Sequence, residues 1–170
     1  MYLALRGEKQ DVPWKNLMRG NLARPRAAFV FWMACHSRLL TKDRLIKFGI
    51  VNDGKCVFCG EAETCNHLFY ECRVTREIWK NCLDWLHLQH HPSGWTQELE
   101  WINLHARGKS NRARMLKLCA TETLYHVWIW CNRRVFKQEA GLDASFIHIR
   151  DTVKERSKRD RKLWAFCNTL

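Results

Sequence analysis

Several features of secreted, membrane and β-rich proteins are missing from this sequence of 170 residues. It has only 3 prolines, and no apolar run approaches the roughly 20 residues needed to cross a bilayer. The first ten residues lack an apolar signal-peptide core, and no Asn-X-Ser/Thr sequon occurs anywhere. No segment alternates apolar and polar residues with the period of two that is typical of strands. We therefore predict an intracellular protein, nuclear or cytoplasmic, that has no contact with a membrane.

The apolar residues are sufficient for a core and follow a helical period. They make up 46% of the chain, which includes 9 tryptophans, so a globular fold is expected. Thr41 is a predicted N-cap of a short helix that Gly49 ends, and residues 50–66 are a predicted loop. The other predicted helices cover residues 27–40, 75–86, 96–104, 111–138 with a stop at Gly141, and 145–167. The 27–40 helix is apolar on most sides and is expected at the centre of a mainly α fold.

Cysteine is abundant, and its clustering indicates a metal site. The count of 9 is odd, and nothing indicates secretion, so disulfides are not expected. Four ligand residues follow the pattern C-x2-C-x7-H-x4-C, a CCHC zinc-finger arrangement: Cys56, Cys59, His67 and Cys72. Gly60 permits the tight turn after the second sulfur, and a one-turn helix after His67 would bring the imidazole and the last thiolate together. Three thiolates and one imidazole suit tetrahedral Zn2+ and leave no position for a substrate water, so the site is structural.

Two other interpretations of these residues remain open at the sequence level. Cys65, two residues before His67, is a competing fourth ligand. The whole group is otherwise a set of core residues without metal. The remaining cysteines stand singly among apolar neighbours and are predicted to be small core residues: Cys35, Cys82, Cys119, Cys131 and Cys167.

The net charge of +12 is unevenly distributed. Residues 1–55 carry +7 and residues 106–170 carry +9, whereas the middle segment, 56–105, carries −4. Such a basic excess favours an anionic partner, most often nucleic acid. The candidate phosphate contacts lie in two clusters: Arg107, Lys109, Arg112, Arg114 and Lys117, and Lys158, Arg159, Arg161 and Lys162. Glu61, Glu63 and Glu71 surround the zinc motif and are expected to repel phosphates from it. For the second cluster, a solvated helix with internal ion pairs is the alternative.

The segment from Trp14 to Trp79 resembles the reverse-transcriptase zinc-binding domain of plant non-LTR (LINE-type) retroelements. The family pattern contains a Trp, a Pro-led apolar helix, an "LlTkdrL" helix and "CxxCgxxEtxxHLFxxCxxxxxiW". These parts stand here as Trp14, Pro25 to Trp32, Leu40 to Leu45, and Cys56 to Trp79. Tyr125 to Phe136 resembles a segment that often follows, except that Ile129 and Cys131 replace two arginines, which weakens any basic groove on that helix. The resemblance implies a module normally found downstream of a reverse transcriptase, standing here without the polymerase.

These observations predict a mainly α protein, a helical domain with a zinc-stapled CCHC loop. Residues 1–86 are a zinc-binding helical region, 87–95 a loop with Pro92-Ser93-Gly94, and 96–170 a basic C-terminal helical region. We expect a non-enzymatic, retrotransposon-derived module with no catalytic residues and no small-molecule substrate, which binds RNA or DNA through its basic flanks. The alternative is a retroelement-derived interaction subunit that docks on a larger protein or ribonucleoprotein assembly through exposed tryptophans and basic helices.

Overall fold

The mainly α class predicted from the sequence is confirmed. The computed structural model describes Val12 and residues 14–137 and 145–170. Its helices are α1 (Lys15–Met18), α2 (Pro25–Cys35), α3 (Lys42–Lys47), one turn of π-helix (His67–Glu71), α4 (Arg73–Trp85), α5 (Trp95–His105), α6 (Asn111–Lys137), α7 (Ser145–Ser157) and α8 (Arg161–Cys167). Within these ranges the extended pairing is one antiparallel bridge between Lys55 and Ala62. No helix in the described ranges is both long and apolar enough to span a bilayer.

The 27-residue helix α6 is the centre of the fold. It packs against α2, α4, α5, α7, α8 and the π-helical turn. Every residue from 115 to 124 is buried, as is Val127, so this part of α6 is enclosed on all sides. The predicted end of this helix, 138–141, lies outside the described residues. The division into regions 1–86 and 96–170 stays a prediction, and α6 packs against helices from both.

The predicted central helix over 27–40 is shorter and more peripheral than expected. Helix α2 ends at Cys35, and Ser37 follows with a positive φ of 52°, a left-handed conformation that no helix continues. Only Ala27, Phe31 and Ala34 are buried, while Phe29 is 60% exposed. The prediction of a central helix is therefore wrong: α2 packs against α6 with one face, and its other apolar side chains are half-buried or exposed.

The single predicted helix over 145–167 is two helices. Helix α7 ends at Ser157, and Asp160 is the N-cap of α8, where its carboxylate accepts hydrogen bonds from the Lys162 and Leu163 backbone N–H groups. A capping carboxylate satisfies backbone donors that a continuous helix would bond internally. The break turns the basic run 158–162 into a corner between two helices.

The predicted helix starts were correct at Thr41 and wrong at Thr75 and Thr96. Helix α3 begins after Thr41, and Gly49 follows its end with a φ of 67°. Helix α4 instead begins after Cys72, and the buried Thr75 hydroxyl donates to the Leu68 carbonyl at 2.6 Å. Helix α5 begins one residue earlier than predicted, after Gly94.

An ion pair between a half-exposed arginine and a buried carboxylate fixes the start of α2 against α6. Glu122 is fully buried and accepts hydrogen bonds from the Arg24 backbone N–H at 2.8 Å, from Nε at 3.0 Å and from Nη2 at 2.7 Å. The same Nη2 lies 2.9 Å from Nε2 of His126, and Thr152 Oγ1 of α7 lies 3.3 Å from that nitrogen. Burial first, and then the charges of Arg24, His148 and Arg133, lower the pKa of His126 from 6.5 to about 4. His126 is therefore neutral in the folded protein at pH 7.

This histidine makes a specific contribution to the pH dependence of stability. Because its folded-state pKa of about 4 lies below the ordinary 6.5, the unfolded chain binds more protons in that interval, so stability is full above pH 6.5 and falls as the pH is lowered towards 4. In urea unfolding, the wild type should lose about 1–2 kcal/mol more than His126→Gln between pH 7.5 and pH 5. His91→Gln, at an exposed loop histidine, should leave the wild-type slope intact. Parallel curves for wild type and His126→Gln would contradict the assignment.

Candidate metal centre and basic surface

The first two metal ligands are held by a short hairpin between residues 54 and 63. The Cys56 backbone N–H donates to the Glu61 carbonyl at 2.6 Å, and Glu63 N–H donates to the Gly54 carbonyl at 2.8 Å. Gly60 N–H closes the turn on the Cys56 carbonyl at 2.9 Å, with a φ of 84° at Gly60. That conformation favours glycine, as the sequence predicted for this position. The hairpin brings both cysteines of the CxxC motif to one side.

The other two ligands come from the π-helical turn. The Cys72 N–H donates to the His67 carbonyl at 2.7 Å, a hydrogen bond between residues five apart. In an α-helix, positions five apart point about 140° away from each other at 3.6 residues per turn. The wider π turn brings them back to one side. The predicted one-turn helix is thus present, and its π geometry explains the x4 spacing of the motif.

The four ligand atoms meet in one cluster. The thiol sulfurs of Cys56, Cys59 and Cys72 and a ring nitrogen of His67 all lie within 4.8 Å of one another. Cys56 Sγ and Cys72 Sγ are 4.0 Å apart, and Cys59 Sγ and His67 Nε2 are 3.1 Å apart. A tetrahedral zinc ion with ordinary bond lengths requires about 3.8 Å between two sulfurs and about 3.6 Å between sulfur and nitrogen. The donor set and its spacing fit zinc, and four protein donors complete the tetrahedron.

The surroundings of Cys72 favour its thiolate. The hydrogen bond from Cys56 lowers the pKa of Cys72 to about 4 against the opposing effect of burial, and the Thr75 and Val74 backbone amides act in the same direction. These amides lie in the first turn of α4, where the helix dipole also favours an anion. The same contact raises the pKa of Cys56, because one proton is shared between the two sulfurs. A bound zinc ion would supply the positive charge for both thiolates.

Glu63 connects the metal loop (residues 54–63) to the rest of the fold. It is buried, so it is not one of the carboxylates that would repel phosphates from the zinc motif. Its side chain is 2% exposed, and Oε1 accepts a hydrogen bond from the Lys42 N–H at the start of α3 at 3.0 Å. Oε2 lies 3.6 Å from Cys131 Sγ of α6. Burial raises the pKa of this carboxyl. The next residue, Thr64, accepts a hydrogen bond from the His67 N–H at 3.0 Å, so this Glu-Thr pair anchors both α3 and the ligand turn.

Cys65 does not take part in the cluster. The group of converging ligand atoms contains His67 and leaves Cys65 out. Cys65 is half-buried, and burial raises its pKa to about 12. The other five cysteines are free; Cys82, Cys119, Cys131 and Cys167 are buried, and Cys35 is half-buried. The structure thus brings together the ligand set predicted from the spacing.

Comparison with known families agrees with this site. Residues 1–79 match the model of the family described as zinc-binding in reverse transcriptase. This segment is therefore similar to a reverse-transcriptase zinc-binding domain. All four ligand residues lie inside the match, and the resemblance proposed from the sequence is confirmed, whereas an origin in plant LINE-type elements stays a prediction. No curated protein and no solved structure matches the chain.

The predicted basic residues lie outside the matched zinc-binding domain, and the fold joins their two clusters. Arg114 of α6 pairs with Asp160 at the α7–α8 corner, with Nη2 and Oδ2 2.6 Å apart. Asn111 Nδ2 donates to the Lys162 carbonyl at 3.3 Å. The start of α6 and the α7–α8 corner therefore form one basic surface, on which seven of the predicted residues are exposed: Arg107, Lys109, Arg112, Lys158, Arg159, Arg161 and Lys162.

Two of the predicted residues have structural partners. Arg114 is half-buried in its pair with Asp160, and Lys117 is 6% exposed with its Nζ donating to the Arg19 carbonyl at 3.3 Å. Lys158 is exposed but lies 2.5 Å from Glu155, an i,i+3 pair of the kind that the solvated-helix alternative predicted. Arg19 joins this region and was not singled out by the sequence analysis, because nothing local connects it to residues nearly 100 positions away.

The basic surface and the metal cluster lie near opposite ends of α6. Glu63 of the metal loop meets Cys131, whereas the basic surface begins at Asn111 and includes Arg114. Positions 114 and 131 on one helix are separated by about 26 Å at 1.5 Å per residue. A phosphate backbone bound at the basic surface would therefore lie far from the zinc ion.

Proposed function

We propose that the protein is a non-enzymatic, intracellular nucleic-acid-binding module derived from a retroelement, in which zinc stabilises the fold and the basic surface contacts phosphates. The convergence of residues 107–117 and 158–162 on one surface carries this proposal. Arg114 and Asp160 join clusters that are more than 40 residues apart in the chain, at a distance of 2.6 Å. Seven exposed cations on one surface attract a polyanion and release its counterions on binding.

The metal cluster supports a structural rather than a catalytic role for zinc. Four protein donors fill the tetrahedron, so no coordination position remains for a water or substrate. With three thiolates and a neutral imidazole, the zinc complex carries a net charge of −1, which disfavours the activation of water and the binding of phosphate. Both RNA and DNA carry the phosphate backbone that this surface would contact.

Charge reversal on the two candidate surfaces tests this proposal. We expect Arg112→Glu, Arg161→Glu and Lys162→Glu together to weaken binding of a labelled single-stranded oligonucleotide more than tenfold, because they remove phosphate contacts. Each lost contact should also lower the slope of log affinity against log salt concentration by roughly 0.7 to 0.9. The matched control reverses Arg73, Arg76 and Lys80, three exposed cations of α4 next to the metal turn. Fluorescence anisotropy at several salt concentrations measures both.

Two results would count against this assignment. A larger loss in the α4 variant would place the binding surface beside the metal cluster. An unmutated protein that binds no oligonucleotide at low salt would remove nucleic acid as the partner.

The second candidate function is docking on a protein assembly, and the apolar surface available for it is not formed by tryptophans as predicted from the sequence. None of the nine tryptophans is exposed: Trp79 is buried and the others are half-buried. The exposed apolar side chains around α3 and the end of α6 are Leu40, Ile46, Phe48, Ile50 and Phe136. An apolar interface of this kind would persist at high salt, where phosphate binding is lost.

A further inference from the structure

A cavity of about 640 Å³ opens beside the basic surface, between α1, the loop that joins α5 to α6, and the first turns of α6. Its volume lies within the range of small-ligand sites and is sufficient for a nucleotide. Its polar lining comes from three separate segments and includes Asn16, Arg19, Arg107, Lys109, Arg114 and Lys117.

The charge of this cavity is of one sign. Five of these six side chains are cationic, and the described lining contains no aspartate or glutamate. Asp160 pairs with one of them, Arg114, from outside the lining. Cations gathered in a concave site produce a stronger field than the same charges spread over a convex surface. The cavity therefore attracts small anions more strongly than the exposed basic surface does.

Lys117 is the least exposed of these cations. It is 6% exposed, and Nζ donates a single described hydrogen bond, to the Arg19 carbonyl at 3.3 Å. Burial, and then the neighbouring charge of Arg114, lower the pKa of its ammonium group. An ammonium group that is partly desolvated and lies near a guanidinium is stabilised by an anion bound next to both.

The wall that carries Arg19 is held in place before any ligand binds. Asn21 Nδ2 donates to Thr121 Oγ1 at 2.7 Å and to the Lys117 carbonyl at 3.3 Å. Gly108, also in the lining, has a φ of 88°, a conformation that favours glycine and sets the course of the loop that joins α5 to α6. Such a preformed site loses little conformational entropy on binding.

We propose that this cavity binds a phosphomonoester, as found at the end of a nucleic-acid strand or on a free nucleotide. A phosphomonoester carries nearly two negative charges at neutral pH, whereas each phosphodiester within a strand carries one. Cations in a nucleotide-sized cavity therefore favour the terminal group. The inference rests on the proposed function, because the strand to which this phosphate belongs would lie along the adjacent basic surface.

The test compares oligonucleotides of one sequence that carry a 5′-phosphate, a 3′-phosphate or hydroxyls at both ends. We expect the wild type to bind one phosphorylated strand about tenfold more tightly than the hydroxyl strand, the effect of one additional charge-assisted contact. Asn16→Asp with Arg19→Gln, two lining residues outside the basic surface, should abolish this preference and retain binding of the hydroxyl strand. The control, Arg73→Gln with Lys80→Gln, lowers the net charge by the same amount at exposed positions of α4 and should preserve the preference. Competition by a nucleoside monophosphate distinguishes a free nucleotide from a strand end.

The outcomes separate this proposal from the proposed function. Equal binding of all three strands, without competition by the monophosphate, overturns the phosphomonoester site and leaves nucleic-acid binding standing. A preference that survives in the Asn16 and Arg19 variant also overturns it, because the phosphate would then bind elsewhere. Competition by the monophosphate that the cavity variant abolishes, with no preference among strand ends, assigns the cavity to a free nucleotide. Absence of binding by every strand overturns the proposed function itself.

Discussion

Replacing Cys59 with serine is expected to remove zinc from the protein and to abolish its cooperative thermal unfolding. Structural zinc sites contribute on the order of 10 kcal/mol in apparent binding free energy, as much as the whole stability of an ordinary domain. The metal loop also holds the rest of the fold: Glu63 bonds the start of α3 and contacts α6, and His67 and Cys72 lie in the turn that leads into α4. Zinc analysis and the melting curve followed by circular dichroism measure the two effects.

Cys65→Ser is the matched control for this substitution. Cys65 lies in the same loop and is half-buried, but its thiol is outside the cluster. The variant should retain one zinc per chain and lose at most about 1 kcal/mol, the usual effect of a surface or half-buried change. His67→Ala should resemble Cys59→Ser. If Cys65→Ser loses zinc while His67→Ala keeps it, the fourth ligand is Cys65, and a metal-free protein that melts sharply would refute the site altogether.

The metal cluster was predictable because its geometry is local. All four ligands fall within seventeen residues, and the tetrahedral requirement of zinc restricts which spacings can close around one ion. The apolar face of α4 was predictable for a similar reason, since helical period alone specifies which positions share a face. Cys131 shows the limit: it departs from the resembled pattern, and only the fold shows that it lies against Glu63.

The buried carboxylates could not be predicted, because their partners are distant in the chain. Glu98 is fully buried and accepts hydrogen bonds from Trp79 Nε1 at 2.7 Å and, with suitable tautomer, from His90 Nε2 at 2.9 Å. Glu122 meets Arg24 from 98 positions away. From the sequence alone a carboxylate is predicted to be exposed to solvent, because its burial without a partner is costly. The contribution of Arg19 to the cavity beside the basic surface was not predicted for the same reason.

Replacing Glu122 with alanine is expected to destabilise the protein by about 2–3 kcal/mol. Glu122 is fully buried, but the Arg24 side chain is 36% exposed, so water compensates part of the charge that the substitution leaves unpaired. The substitution removes three hydrogen bonds, because the Arg24 backbone N–H, Nε and Nη2 all donate to this carboxylate. Arg24 is also the N-cap residue of α2, so the start of that helix loses its attachment to α6. Urea unfolding of zinc-loaded protein measures the change.

Two further variants identify the cause of that loss. Glu77→Ala removes an exposed carboxylate 3.6 Å from Lys80 and should cost no more than about 0.5 kcal/mol, as is usual for surface pairs. Glu122→Gln keeps an acceptor for the Arg24 N–H but loses the charge, so its effect should fall between those of the two alanine variants. If Glu122→Gln is as stable as the wild type, hydrogen bonding and packing rather than charge hold α2 to α6. If Glu122→Ala costs no more than Glu77→Ala, the contact between Arg24 and Glu122 contributes nothing to the fold, and α2 is held by its apolar face alone.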